Sequence, residues 1–303
     1  MSAYDPAALE CLAAIVEEGG FERAAQRLNV TQSAVSQRLR ALEAQVGSVL
    51  IVRTRPLRPT NAGQLLLKHT KQMRLLRADL ERDLQELAPS APGGSREDER
   101  ISIAINADSI ATWAMGALHD LVRQRLPLEI IVDDQDFTQE WLRSGQVLGC
   151  VTTLKQALRG CKMVPLGAMP YVAVASASYA EQYLPQGLTP HNFRDVSFLS
   201  FNRKDDMAAE FVARAFGLKR VALNHLFVPG SEAQMRAVAA GWAVGVVPEL
   251  LARGAIADGS VVDLAPGRSL PIQLYWHCWN LESELLDALS SALTSAAAQA
   301  LVS

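Results

Sequence analysis

Long apolar runs are missing from this 303-residue chain. No uncharged apolar run approaches the ~18 residues that a membrane-spanning helix requires, although 49% of the residues are hydrophobic. Met1 to Glu10 holds Asp5 and Glu10 and no Lys or Arg, so a basic leader region is absent. An ordinary secretory signal is therefore not expected, and a cytoplasmic protein is. Cysteine is sparse: Cys11, Cys150, Cys161 and Cys278 contain no C-x-x-C pair. A disulfide framework or zinc site is not expected. Small buried thiols are the preferred reading, with a Cys150–Cys161 redox pair as the alternative. The five histidines, His69, His119, His191, His225 and His277, lack metal-ligand spacing. There is no G-x-S-x-G, no P-loop and no short-period repeat. Neither an enzyme nor a metal or resident cofactor is expected, and His277, beside Tyr275 and Trp276, reads as a strand histidine.

What is present is an uneven distribution of charge. The net charge is −3. Between Gly20 and Arg77, however, eleven Lys/Arg face two acids, a net of +9 that leaves −12 for the remainder. A basic head on an acidic body is expected where one domain meets phosphates. A solvated basic face on an ordinary domain is the bland alternative.

The pattern of the head is helical. Residues 7–18 bring Leu9, Leu12, Ile15 and Val16 to one face, and Gly19-Gly20 stops them. Phe21 to Leu28 forms a second helix, Asn29-Val30 a turn, and Thr31 an N-cap for a third helix, Gln32 to Val46, ended by Gly47. Residues 49–52 and 57–59 flank a turn as a hairpin. Thr60 then starts a long helix, Asn61 to about Leu87. A short helix, a turn and a Gln/Ser/Arg-rich helix describe a helix-turn-helix. Its second helix offers Gln32, Ser33, Ser36, Gln37 and Arg40 to base edges. Thr31 and Ser33 suit phosphate at a helix start, Arg53 and Arg55 suit phosphate or minor groove, and Arg58 suits phosphate. The partner implied is double-stranded DNA. Along the long helix, Leu66, Met73, Leu80 and Leu87 recur every seven residues, with Leu76 and Leu84 between. That seam predicts pairing with a second copy.

Residues 89–100 (PSAPGGSREDER) read as a hinge. The domains expected are a DNA-binding head over 1–60, a linker helix over 61–88, the hinge, and an α/β body over 101–303. One half of the body takes 101–168 and 270–303, the other 169–269. Strands and helices alternate from Ile101 to Ala300, which predicts two parallel-rich sheets with helices on both faces. Ligands bind such architectures beyond strand C-terminal ends, in a cleft between halves. Helix starts after 101–106 and 222–227 place Asn106, Asp108, Ser109, Ser231 and Glu232 near that cleft. Asp134, Asp136, Asp205 and Asp206 supply further carboxylates. Simple helix capping is the bland alternative for Asp108, Ser109, Asp205 and Ser231. Trp113 and Trp276 read as core before pocket wall.

These residues resemble a known family. The run AAQRLNVTQSAVSQRLRALEAQVGSVLIVRT, with RPTNAG after it, is similar to the N-terminal signature of LysR-type transcriptional regulators. One departure is Leu50-Ile51-Val52 before Arg53, where many members carry Phe. NADSIATW at 106–113, LGAMPYVAVAS, DDM at 205–207, GSEA at 230–233 and LYWH at 274–277 extend the resemblance to the ArgP branch, also called IciA or LysG. The resemblance implies an α+β multidomain chain: a winged helix-turn-helix head, a linker helix, and an α/β periplasmic-binding-protein-like effector domain in two halves. It implies a dimer or tetramer, lysine or arginine as effector, and activation of export or metabolism genes with RNA polymerase as a further partner. A solute-binding protein, a DNA-binding protein without effector, and a regulator of the same family with a different effector are the competing readings. The basic head and the absence of a leader oppose the first. The acidic two-half body opposes the second.

Overall fold

The structure, a computed structural model, describes residues 4–54, 56–87, 101–123, 126, 128–135 and 137–302. The hinge 89–100, Arg55 and Asp136 lie outside the described residues, as does the side chain of Leu87.

Three helices form the head: α1 (Pro6–Glu18), α2 (Phe21–Arg27) and α3 (Gln32–Val46). Leu9, Leu12, Ile15, Ala24, Val35, Leu39 and Leu42 close its core with Leu50. Asn29 takes a left-handed conformation (φ 52°) in the turn before α3. The Thr31 hydroxyl accepts from Ala34 N at 3.2 Å, and Gly47 ends α3 with φ 72°. The wing is shorter than its sequence suggests, with β1 (Ile51–Val52) antiparallel to β2 (Arg58–Pro59). Leu50 does not join the ladder. Its N–H donates to Glu43 Oε1 at 2.9 Å, and its carbonyl accepts from Thr60 N at 2.9 Å. Glu43 thus ties the end of α3 to the wing. The linker helix α4 (Asn61–Leu87) then passes so close that a Cβ on Gly63 would lie 2.1 Å from the Leu50 carbonyl oxygen.

The body follows the expected alternation. Its first half holds β3 (Ile101–Asn106), a helical run, β4 (Leu128–Asp133), α7 (Thr138–Arg143) and β5 (Gly149–Thr152). The helical run comprises α5 (Ala107–Ser109), a π-helical turn over Ile110–Ala114, and α6 (Met115–Arg123). The long β6 (Cys161–Ser176) leads to α8 (Ala177–Tyr183), β7 (Ser197–Ser200), α9 (Met207–Phe216) and β8 (Asn224–Phe227). Then come α10 (Ser231–Ala239), β9 (Gly245–Pro248), α11 (Glu249–Ala257), β10 (Val261–Asp263), β11 (Leu270–Trp279) and α12 (Glu284–Ala300).

Two expectations are corrected here. The halves are not two separate parallel-rich sheets. One seven-stranded sheet, in the order β10-β6-β11-β5-β3-β4 with β9 on β6, runs through both, and a two-stranded β7–β8 sheet adjoins it through backbone hydrogen bonds between β7 and Val244, just before β9. Pairing is mixed: β3–β4, β3–β5 and β7–β8 are parallel, and every pair involving β6 or β11 is antiparallel. The reason is that β6 and β11 each cross from one half to the other as a single strand, paired along ten registers with an irregularity at Leu274/Tyr275. Local periodicity marks strands and does not show that one strand serves two halves. The same pairing disposes of a Cys150–Cys161 bridge. Those cysteines sit on β5 and β6 with β11 between them. Two strand spacings, roughly 9–10 Å, exceed the reach of a disulfide.

Candidate functional site

Two surfaces carry the chemistry, one on the head and one in the body. On the head, α3 turns Gln32, Ser33, Gln37 and Arg40 outward, with Ser36 half-buried beside them. Val35, Leu39 and Leu42 on the opposite face are held in the core, which fixes the rotation of this helix. The Thr31 hydroxyl caps α3 and lies 2.9 Å from Ser33 Oγ. Arg53 and Arg58 are exposed on the wing, and the Arg53 guanidinium lies 5.3 Å from the Phe21 ring centroid. A groove of about 560 Å³ runs between Gly20, Phe21, Arg23 and Gln32 on one side and Arg53 and Thr54 on the other.

Along α4, Met73, Leu76, Leu80 and Leu84 form an exposed apolar stripe, each between 45% and 55% exposed. Leu66 does not belong to it. It is half-buried against the head core, because the first turns of α4 pack on α1.

In the body, strand ends and helix starts converge on a narrow cavity of about 50 Å³. Asn106, Asp108, Asp134, Asp205 and Ser231 line it, as the sequence predicts. Ser109, Asp206 and Glu232 do not. Each follows a residue that faces the cavity; for Ser109 and Glu232 one step along a helix rotates the side chain by about 100°, and Asp206 is the N-cap residue before α9. Ser109 is turned wholly into the core, and Asp206 and Glu232 are turned to solvent. Trp113 and Trp276 are core residues, and the Trp276 indole donates to Ser290 Oγ at 2.9 Å. His277 is a buried strand histidine whose Nε2 lies 2.8 Å from the Leu154 carbonyl.

Wall residues that sequence reasoning missed include Asp133, Gln135, Tyr171 and Gln234. Asp133 had a signal, since it ends β4 one position before Asp134. Tyr171 had none, because only the β6 pairing carries it across from the other half.

Among the described residues, no Lys, Arg or His lines this cavity, and four carboxylates do. They are not equivalent. Both Asp205 oxygens accept backbone N–H groups, from Phe201 at 2.7 Å and Met207 at 2.9 Å. Asp133 accepts from the Trp141 indole at 2.8 Å and from Asp134 N at 2.8 Å. Asp108 is half-buried at the start of the helical run and accepts from Tyr171 Oη at 2.5 Å. Burial pushes its carboxyl above the usual range, hydrogen bonds from Ser231 and Tyr171 oppose that, and the nearby Asp205 charge adds to it. Burial and the Asp108 charge likewise push the Tyr171 phenol up. Beside them, both amide atoms of buried Asn106, together with Gln135 Oε1, have no hydrogen-bond partner. Such a site offers acceptors for a cation and unspent polar groups for a second ligand end. Asp133 and Asp134 also border an open groove of about 780 Å³ outside the cavity, where Lys204 Nζ lies 4.8 Å from the Phe137 ring centroid.

Among the described residues, no group of three or more His, Cys, Asp or Glu could hold a metal, and no helix is long and apolar enough to cross a membrane.

Comparison with known proteins agrees with this organisation. Residues 6–64 match the bacterial regulatory helix-turn-helix protein family, lysR type, and residues 94–299 match the LysR substrate binding domain. The chain is 40% identical over 302 residues to the HTH-type transcriptional regulator ArgP of Aeromonas salmonicida, covering 99% of each. Among solved structures it resembles ArgP from Mycobacterium tuberculosis, with a TM-score of 0.81, 38% identity and 99% of both chains covered. It also resembles full-length LysG from Corynebacterium glutamicum with bound effector Arg, with a TM-score of 0.71, 32% identity, and 99% and 100% coverage. A DNA-facing head, a linker helix and a two-half ligand-binding body thus place this chain in the LysR family of transcriptional regulators, which are DNA-binding proteins and not enzymes.

Proposed function

We propose that this regulator reads operator DNA through α3 and is controlled by a basic amino acid, arginine or lysine, held in the acidic cavity. The observation that carries the effector assignment is the cavity wall: four carboxylates, no cationic side chain among the described residues, and an unpartnered Asn106 amide. The ammonium or guanidinium end of the ligand faces Asp108 and Asp134, and its carboxylate takes the Asn106 amide. The arginine bound to the Corynebacterium LysG supports the same ligand class. The cavity is narrow, about 50 Å³, and widens around a bound amino acid.

On the head, Gln32, Ser33, Ser36, Gln37 and Arg40 meet base edges, and Arg53, Arg55 and Arg58 meet phosphate or minor groove. The α4 stripe of Met73, Leu76, Leu80 and Leu84 pairs two copies, so that two heads span half-sites one or more helical turns apart. A protein with DNA as partner works in the cytoplasm, and the regulated genes belong to amino-acid export or metabolism, with RNA polymerase as the partner in activation. Calorimetric titration of the full chain with L-arginine, L-lysine and L-leucine tests the reading. Binding of a basic amino acid with no leucine binding is expected. Absence of binding by both basic amino acids refutes the effector class and leaves the DNA assignment standing.

A further inference from the structure

The cavity wall is joined to the head by an unbroken chain of polar contacts. It begins at Asp133, whose Oδ2 accepts from the Trp141 indole at 2.8 Å. The Trp141 carbonyl accepts from Gln146 N at 2.9 Å, and the Gln146 carbonyl accepts from Lys71 Nζ at 2.5 Å. Lys71 belongs to α4, and its ammonium lies 3.4 Å from Glu17 Oε1 on α1. Glu17 Oε2 is in turn 2.6 Å from Arg27 Nη1 at the end of α2, the first helix of the DNA-reading pair.

The joint is tight. Gly145 has φ +72°, and a Cβ there would lie 2.7 Å from Lys68 Cβ, so the turn after α7 rests directly on α4. The Lys71 side chain is only 11% exposed. Burial pushes its ammonium below the usual lysine range, and Glu17 opposes that shift. A buried lysine held by one carbonyl of the body and one carboxylate of the head is costly to leave half-paired.

We propose that Lys71 is the positioning residue through which filling of the cavity is passed to the head. Widening the cavity moves Asp133 and Trp141, which carry the 144–146 turn across α4 and shift the point where Lys71 holds Glu17. The inference rests on the proposed effector site, since it names how that site is read out.

Hydrogen exchange by mass spectrometry is measured on the full chain as wild type and Lys71→Met, with and without saturating L-arginine. Glu17 keeps Arg27 and Arg74 in the variant, so the head stays folded. Without ligand, the variant leaves the Gln146 carbonyl undonated. Exchange in residues 142–148 and 10–18 is expected to rise about tenfold or more, the effect of one lost buried hydrogen bond. With L-arginine, wild type should change exchange both at 106–109 and 133–138 and at 10–18. The variant should keep the first response and lose the second, a split that a merely structural role would not produce. A response at 10–18 that survives in Lys71→Met overturns the inference. If L-arginine alters neither region in wild type, the effector reading fails, and the ligand-free comparison decides alone: unchanged exchange in the variant overturns the Lys71 joint.

Discussion

Asp108→Asn tests the cavity most directly. Asp108 is half-buried, holds Tyr171 Oη at 2.5 Å, and shares the wall with Asp134 and the unpartnered Asn106. An amide keeps its shape and one acceptor and removes its charge. A hydrogen bond to a charged group contributes about 1.5–3 kcal/mol, so binding of L-arginine should weaken roughly 10- to 150-fold. Stability should move the other way. The folded carboxyl of Asp108 is raised above the value of 3.8, so the unfolded chain releases that proton first as pH rises. The penalty is absent at low pH and grows as pH climbs from the unfolded value through the folded one. The Asn variant carries no such penalty, and its Tm at neutral pH without ligand should equal or exceed that of wild type. Calorimetry with L-arginine, paired with thermal melts at pH 4 and pH 7, reads both effects. Affinity within about threefold of wild type would remove Asp108 from the site. A Tm that drops at neutral pH would show the carboxylate to be structural.

Other expectations follow from the same geometry. Gln32→Ala should cost about 1–3 kcal/mol in operator binding and leave nonspecific binding intact; equal losses in anisotropy titrations against both DNAs would reject base readout. Glu17 sits among Lys71, Arg74 and Arg27, and although burial alone would raise its carboxyl, these cations bring it from 4.5 down to about 2. Its stabilisation, on the order of 3 kcal/mol, is present above pH 4.5 and lost as pH falls through 2. Glu17→Gln should therefore flatten the acid limb of the stability profile, and an unchanged limb in denaturant titrations would contradict the pairing. Leu80→Glu with Leu84→Glu should shift sedimentation toward monomer, and a dimer that persists at micromolar concentration would place the interface elsewhere. Gly63→Ala puts a methyl 2.1 Å from the Leu50 carbonyl oxygen. Overpacking costs about 1–3 kcal/mol, and a melt matching wild type would show that α4 can retreat.

Much of the head is legible in one dimension because its forces are local. Thr31 caps α3, Asn29 turns the chain, and Gly47 stops the helix within a few residues of where each acts. Periodicity also finds the exposed α4 stripe, but it counts Leu66 into the seam. The seven-residue spacing does not show that α1 lies against the first turns of α4. In the body, alternation yields nearly every element and the cavity residues at strand ends, because helix starts follow strand ends in sequence.

The rest required tertiary structure. That β6 and β11 each serve both halves is a matter of long-range pairing, and it alone brings Tyr171 to Asp108 across 63 positions of chain. Rotation of one residue separates Asp108, in the cavity, from Ser109, in the core, and only packing of the helical run sets that rotation. The contact between Lys71 and the Gln146 carbonyl spans 75 positions and uses a backbone oxygen, which no residue type announces. Sequence could determine what short-range hydrogen bonds and side-chain periodicity enforce. Which carboxylates share a wall, and what ties that wall to the head, was decided by strands and helices meeting far from their neighbours in the chain.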